Sequence, residues 1–288
     1  ELQHVDIAVI EVGLGGRLDA TNIIDPLVSV ITSLSLDHVN VLGDTLEKIA
    51  FEKAGIVKSG KPVVLSPQVE FARKVVEQVC NERNARLFQV GSDFTGSIIT
   101  TSLTHQEILL KNTAVSGFPK YQKRGLKVRL PLLGSHQRDN AVTAFGALQI
   151  IGEHGIKVNS QQFKQGYSTV HWPGRFEILQ ESPAIVVDSA HNPDSAQKLR
   201  KTIDDYLPGK AIVLIFGASE DKDVEGMFKA LMPGVRQVIA TQSTHPRALG
   251  TDNIIAIAEN FHTPAIIVSE VTQALDKAIE LSGSGDAI

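Results

Sequence analysis

The sequence predicts an α/β protein built as two parallel-sheet units. Three observations predict it. Short apolar runs rich in Val and Ile recur along the chain, and most are followed by a stretch with helical spacing. The connections between the runs are long enough to hold a crossover helix, which parallel strands require. Polar and charged residues gather just after the apolar runs, where open α/β sheets present ligand sites.

Residues 5–12 read as a buried strand with one carboxylate, Glu11, near its end. A glycine-rich turn follows (Gly13, Gly15, Gly16), then a polar segment with Arg17, Asp19, Thr21 and Asn22. Residues 27–32 form the second predicted strand, and the loop after it carries Asp37 and His38. Asp44 or Thr45 caps a helix running to about residue 57, with Glu47, Glu52 and Lys53 on it. Val63–Leu65 is a third strand, residues 69–83 an amphipathic helix, and residues 86–90 a fourth strand.

Residues 95–130 differ: alternating patterns at 97–100, 107–110 and 127–130 predict short antiparallel strands. Leu133-Gly-Ser-His-Gln-Arg-Asp-Asn140 opens a helix that ends near Gly152, and residues 160–167 form a short one. The boundary between the units falls at about residue 170, giving domains of 1–170 and 171–288. Beyond it strands are predicted at 184–187, 211–216, 235–240 and 265–268, with helices at 195–206, 224–232, 252–260 and 272–281.

The composition bounds the function. A chain of 288 residues, 42% hydrophobic and 21% charged, is ordinary for one or two globular domains. A net charge of -4 gives no electrostatic footprint for nucleic acid. The single Cys80 excludes an intramolecular disulfide framework and suits a reducing cytoplasm. No apolar run reaches membrane-spanning length and nothing resembles a signal peptide, so no membrane partner is expected. The ends read as cut, since the chain begins at Glu1 close to a strand pattern and stops where another strand could begin.

Two constellations could carry chemistry. Glu11 and His38 follow neighbouring predicted strands and could converge at one sheet edge with Lys53, where a carboxylate and an imidazole can ligate a divalent cation. Taken singly, the bland readings are stronger: a lone His38 is more often a hydrogen-bonded structural histidine, and Lys53 beside Glu52 is more often part of a solvated helix face. In Asp188-Ser-Ala-His-Asn-Pro193, four apolar residues lead into Asp188 and Pro193 fits the first turn of the next helix. Asp188 and His191 thus sit at a strand-to-helix turn, where amides attract anions. The alternative is that Asn192 is a cap and His191 a bystander. Arg175 in Trp172-Pro-Gly-Arg175 favours a phosphate or carboxylate contact. The loops at 216–223 and 241–248 lie at successive strand ends and suggest one polar rim. No GxxxxGK[ST], GxGxxG, zinc-type Cys/His spacing or GxSxG occurs.

Six segments in order resemble the folylpolyglutamate synthase and dihydrofolate synthase family of Mur-type ligases: Glu11-Val-Gly-Leu-Gly-Gly-Arg-Leu-Asp-Ala-Thr-Asn22, Leu36-Asp-His-Val-Asn-Val-Leu-Gly43, Ile49-Ala-Phe-Glu-Lys-Ala-Gly-Ile-Val-Lys58, Leu133-Gly-Ser-His-Gln-Arg-Asp-Asn-Ala141, Trp172-Pro-Gly-Arg175 and Asp188-Ser-Ala-His-Asn-Pro193. The resemblance implies a parallel-sheet P-loop-type ATPase domain, truncated at its N-terminus, followed by a smaller Rossmann-like α/β domain. It implies ATP-dependent amide ligation, in which a carboxylate becomes an acyl phosphate that the amino group of L-glutamate attacks, with dihydropteroate or a reduced folate as the other substrate. By position, Glu11, His38 and Lys53 match magnesium ligands, Lys53 as a carbamate formed with CO2, and Lys53 and His191 match catalytic positions. Asn140, Arg175 and Asp188 match ATP contacts, while Leu18, Asp19 and Ala20 match the pterin-lining segment. ATP and two Mg2+ ions are the implied cofactors, and a cytoplasmic monomer the implied state.

The departures shape one more expectation. The family's glycine-rich phosphate loop, with its Ser/Thr magnesium ligand, lies upstream of the Glu11 segment and is absent from these residues, and Ser189 stands where Gly is commoner. The family's last strand is expected after Ile288. This polypeptide alone is therefore expected to be inactive. The alternatives are another Mur-type ligase of cell-wall or cyanophycin type, against which the Leu-Asp-Ala-Thr-Asn and Trp-Pro-Gly-Arg segments speak, or a non-catalytic binding protein on a ligase scaffold.

Overall fold

The computed structural model describes residues 5–113 and 125–288. The chain packs as two compact units. One holds residues 1–97, 108–128 and 138–165, the other residues 98–107, 129–137 and 166–288.

The first unit is built on three short parallel strands, β1 (Ser29–Ile31), β2 (Val63–Leu65) and β3 (Leu87–Gln89), in the order β1-β2-β3. Two helices separate β1 from β2: α1 (Val39–Leu42) and α2 (Leu46–Ala54). Thr45 starts α2 by accepting the Lys48 N–H at 3.3 Å through its side chain. The crossover from β2 to β3 is α3 (Glu70–Glu82), which buries Ala72, Val76, Val79 and Cys80, one helical stripe, against the strands. All three residues of β2 are buried, as a central parallel strand demands.

The predicted strand at residues 5–12 does not form. Among the described residues nothing pairs with it, and Val9 is 95% exposed. An apolar run becomes a strand only where a neighbour supplies the ladder, and periodicity cannot reveal whether one does. The loop after β1 also differs from expectation, because residues 39–42 wind into α1 directly behind His38.

The region from 94 to 130 forms the three-stranded sheet β4 (Phe94–Thr101), β5 (Gln106–Asn112) and β6 (Leu126–Leu130), in sequence order. The four-residue turn from β4 to β5 makes that pair antiparallel, as the alternation predicts. Two helices follow, α4 (Ser135–Ile151) and α5 (Ser160–Ser168). Phe94, Phe145 and Phe163 pack in series in the first unit's core, Phe94 edge-to-face on Phe145 with ring centres 6.1 Å apart and Phe145 tilted against Phe163 at 5.5 Å.

The second unit opens with the antiparallel pair β7 (Glu177–Glu181) and β8 (Ala184–Val187). Then α6 (Pro193–Tyr206), β9 (Ile212–Phe216), α7 (Val224–Leu231), β10 (Val235–Ala240), α8 (Thr251–Asn260), β11 (Ala265–Ile267) and α9 (Val271–Leu281) alternate, with β9, β10 and β11 parallel. The last residues sit inside this sheet. Ala287 bridges in parallel to both Ala184 and Ile212, which places it between β8 and β9. Residues 286–288 thus already pair in this sheet, whereas the last strand is expected only after Ile288.

Candidate active site

In the first unit, two of the six segments that carry the resemblance are docked on each other. The backbone N–H of Arg17 donates to the Glu52 carbonyl at 2.8 Å, and its guanidinium grips the Glu52 carboxylate, with Nη2 at 2.9 Å and Nε at 3.1 Å from Oε1. The Asn22 amide donates to the Arg17 and Gly55 carbonyls, and Lys58 Nζ donates to Asn22 Oδ1 at 2.9 Å. This approach needs glycine at position 55, where a Cβ would lie 2.3 Å from Arg17 Cβ and 2.4 Å from its Cα. The glycine-rich loop is therefore a flap docked on the end of α2.

Asp19 organises that loop from within. Its carboxylate accepts the Leu14 and Thr21 N–H groups, both at 2.9 Å, and the Thr21 hydroxyl at 2.6 Å. The Thr21 hydroxyl, followed by those two amides, holds the Asp19 pKa down at about 2. Leu18 beside it is 81% exposed, and Ala20 starts a one-turn 3-10 helix, Ala20–Ile23.

Between this flap and α2 lies a pocket of about 240 Å³. Val12, Gly13 and Gly15 form one wall, Thr32, Ser33 and Ser35 another, and Asp37, His38 and Lys53 complete it. His38 stands in the left-handed region (φ 50°) at the start of α1, and its N–H donates to Asp37 Oδ1 at 2.9 Å. Burial lowers the Lys53 pKa, and the Asp37 charge opposes that shift. His38 and Lys53 thus line one cavity. Glu11 is exposed and does not line it, although Val12 beside it does.

Among the described residues no three His, Cys, Asp or Glu side chains converge as a ready-made metal cluster. Mg2+ does not demand one, because it keeps several waters and takes one or two carboxylates together with substrate phosphates. The pocket's Asp37 carboxylate, His38 imidazole and serine hydroxyls fit that mode. Lys53 fits only as an anion, since an ammonium there would repel the ion.

In the second unit Asp188 leaves β8 and turns back. Its carboxylate accepts the Ala190 N–H through Oδ1 and the Phe176 N–H through Oδ2, both at 2.8 Å. The Ser189 N–H donates to the Gly174 carbonyl at 2.9 Å, and Glu177 accepts the Gly174 N–H at 2.9 Å. The Trp-Pro-Gly-Arg turn is therefore pinned to the Asp188 turn. Burial raises the Asp188 pKa against the pull of these amides and of the Arg175 and His191 charges. Arg175 and His191 are exposed. Asn192 caps α6 in a reciprocal capping box with Ser195, with Pro193 in its first turn. Asn140 lies exposed on α4 in the first unit.

Sequence reasoning did not single out Arg17, Glu52 or Phe176. Arg17 and Glu52 lie in two of the six segments that carry the resemblance, which was the available signal; their pairing across 35 positions has no signature in a single sequence. Phe176 follows the Trp-Pro-Gly-Arg segment, but nothing in the sequence marks its left-handed backbone.

The chain belongs to the Mur ligase family: residues 1–148 match the Mur ligase middle domain, and residues 174–288 match the Mur ligase glutamate ligase domain. Within that family it is similar to the dihydrofolate synthase/folylpolyglutamate synthase of Bacillus subtilis (strain 168), 34% identical over 249 residues, covering 86% of this chain and 56% of the relative. The protein of that name from Escherichia coli (strain K12) is 30% identical over 286 residues, 99% of this chain and 62% of the relative. Among solved structures, Mycobacterium tuberculosis folylpolyglutamate synthase complexed with ADP matches with a TM-score of 0.84 at 30% identity, over 97% of this chain and 61% of that one. E. coli FolC in complex with DHPP and ADP matches with a TM-score of 0.80 at 30% identity, over 96% and 61%. The chain therefore spans about three fifths of the length of these relatives.

Proposed function

We propose that the protein carrying this chain is a cytoplasmic, monomeric ATP-dependent amide ligase that adds L-glutamate to dihydropteroate, to a folylpolyglutamate, or to both. One observation carries the reading: Lys53, Asp37 and His38 share a pocket with the glycine-rich flap, in a chain of the Mur ligase family. In this reading residues 1–170 form the ATPase-like domain and residues 171–288 the second domain.

Lys53 acts as a carbamate. Half-burial lowers the pKa of its amine; the amine loses a proton to solvent, its free nitrogen attacks CO2, and a second proton leaves as the carbamate forms. His38 and the Lys53 carbamate, with Asp37 beside them in the pocket, would hold Mg2+, and Glu11, exposed next to the lining residue Val12, would have to turn inward to join them; when bound the ion would offset the negative charge of the transferring phosphoryl group. Asn140, Arg175 and Asp188 hold ATP, Arg175 through its guanidinium and Asp188 through the turn it shapes. His191, at the start of α6, faces the phosphate or glutamate. Leu18 and Ala20 present an apolar surface to the pterin ring, and Asp19 keeps that surface in shape. These placements fit an acyl-phosphate route, because that route needs positioned charge and two oriented substrates more than a protein nucleophile.

The test is an assay of the whole protein with ATP and L-glutamate, offering dihydropteroate and tetrahydrofolate in parallel. Glutamate-dependent ADP release with an amide product is expected, lost in Lys53→Ala. A carbamate carbon signal from the wild type under labelled CO2, absent in Lys53→Ala, is expected alongside it. ADP release indifferent to both pteridine substrates would overturn the reading.

A further inference from the structure

We infer that Arg17 and Glu52 are positioning residues that hold the pterin-facing flap in register with the helix that carries Lys53. The inference rests on the pterin reading of Leu18 proposed above. A loop with glycines at 13, 15 and 16 is entropically costly to hold in one shape and needs an external clamp. Glu52 supplies it twice, accepting the Arg17 backbone N–H through its own carbonyl and the Arg17 side chain through its carboxylate. One contact fixes where Arg17 sits; the other fixes how it is turned. The Arg17 guanidinium also lies 5.9 Å from the centre of the Phe51 ring.

The neighbours give the clamp its purpose. Glu52 precedes Lys53, and Arg17 precedes Leu18, whose side chain is presented outward. One pair therefore ties the pocket's lysine to the flap's apolar surface. The Arg17 and Glu52 side chains are 43% and 21% exposed, so the ion pair adds little to global stability. Its fork geometry adds orientation, and lysine cannot reproduce it.

The whole protein tests this through calorimetric titration with dihydropteroate and separately with ADP, beside a melting curve. Arg17→Lys and Glu52→Gln should each weaken dihydropteroate binding about tenfold, with ADP affinity and melting temperature near wild type. The exchanged pair Arg17→Glu/Glu52→Arg restores a fork and should recover dihydropteroate binding to within about threefold of wild type. Single variants that bind dihydropteroate like wild type, a parallel loss of both ligands, or failure to fold that the exchange does not repair would each overturn the positioning role. Leu18→Asp separates the two readings. If it leaves dihydropteroate binding intact, the pterin reading falls and takes this inference with it. If it abolishes binding while Arg17→Lys does not, the positioning role alone falls.

Discussion

The backbone N–H of Phe176 donates to Asp188 Oδ2 across 2.8 Å, and Phe176 holds a left-handed backbone, φ 46°, while making that bond. A bulky residue in that region costs about 1–2 kcal/mol. The offset is visible: the Phe176 side chain is buried beside Tyr206, with ring centres 6.0 Å apart, and its N–H reaches a carboxylate. Strain, burial and hydrogen bond together set the turn that presents Arg175.

Replacing Asp188 should therefore act at a distance. Asp188→Ala removes the acceptor for both Phe176 and Ala190 and leaves a strained turn uncompensated. We expect a loss of about 2–3 kcal/mol in urea unfolding, together with at least tenfold weaker ADP binding as Arg175 loses its position. Asp188→Asn keeps one acceptor oxygen and should fall between. Unchanged ADP affinity in Asp188→Ala would separate the turn from the nucleotide.

Much of the fold was legible in the sequence, for local reasons. The strand at Val63–Leu65 and the helix Glu70–Glu82 carry their own signals, β-branched burial and a 3.6-residue stripe. The Asn192 and Pro193 helix start was legible because caps are written in adjacent residues. Residues 5–12 failed because pairing is non-local, and α1 was missed because four residues hold too short a pattern. His38 and Lys53 could be placed near one sheet edge, whereas Asp19 as the loop's internal anchor required the hydrogen-bond geometry.

Two glycines separate steric need from conformational need. At Gly55 a Cβ would collide with the Arg17 backbone, so Gly55→Ala should cost about 3 kcal/mol and displace the flap. At Gly60 nothing lies within 4 Å, but φ is 71°, so Gly60→Ala should cost only about 1–2 kcal/mol, as backbone strain. Chemical denaturation of both variants checks the order. Equal losses would mean that the flap does not pack against α2 as described.

Asp19 gives a pH signature. Its folded pKa, about 2, lies below the ordinary 3.8. A depressed acid contributes stability above its unfolded pKa and loses it as pH falls through the folded value. The flap should therefore hold its hydrogen bonds above pH 3.8 and release them as pH falls towards about 2. The amide resonances of Leu14 and Thr21 report this directly. They should titrate together with a midpoint near 2, and that step should vanish in Asp19→Asn. A midpoint near 4 would mean the carboxylate is not so engaged.

Ala287 sits where an alanine can hide and a charge cannot. It is 3% exposed, packs with Leu133, Phe176 and Ile212, and bridges two strands. Its N–H donates to the Ala211 carbonyl, and its carbonyl accepts the Val213 N–H, both at 2.9 Å. On the other side, the Ile288 N–H donates to the Ala184 carbonyl at 2.7 Å, and the Val186 N–H donates to the Ile288 carbonyl at 2.8 Å. The ion pair of Arg236 with Asp286, at 2.9 Å, steadies the approach. An aspartate at position 287 would bury a carboxylate in the apolar cluster of Leu133, Phe176 and Ile212. Ala287→Asp should thus cost about 3 kcal/mol or more, whereas Asp286→Ala, which removes a half-buried ion pair and the acceptor for the Gly283 N–H, should cost about 1 kcal/mol. Urea unfolding of the two variants side by side tests the placement. If Ala287→Asp is as mild as Asp286→Ala, residue 287 does not lie between β8 and β9.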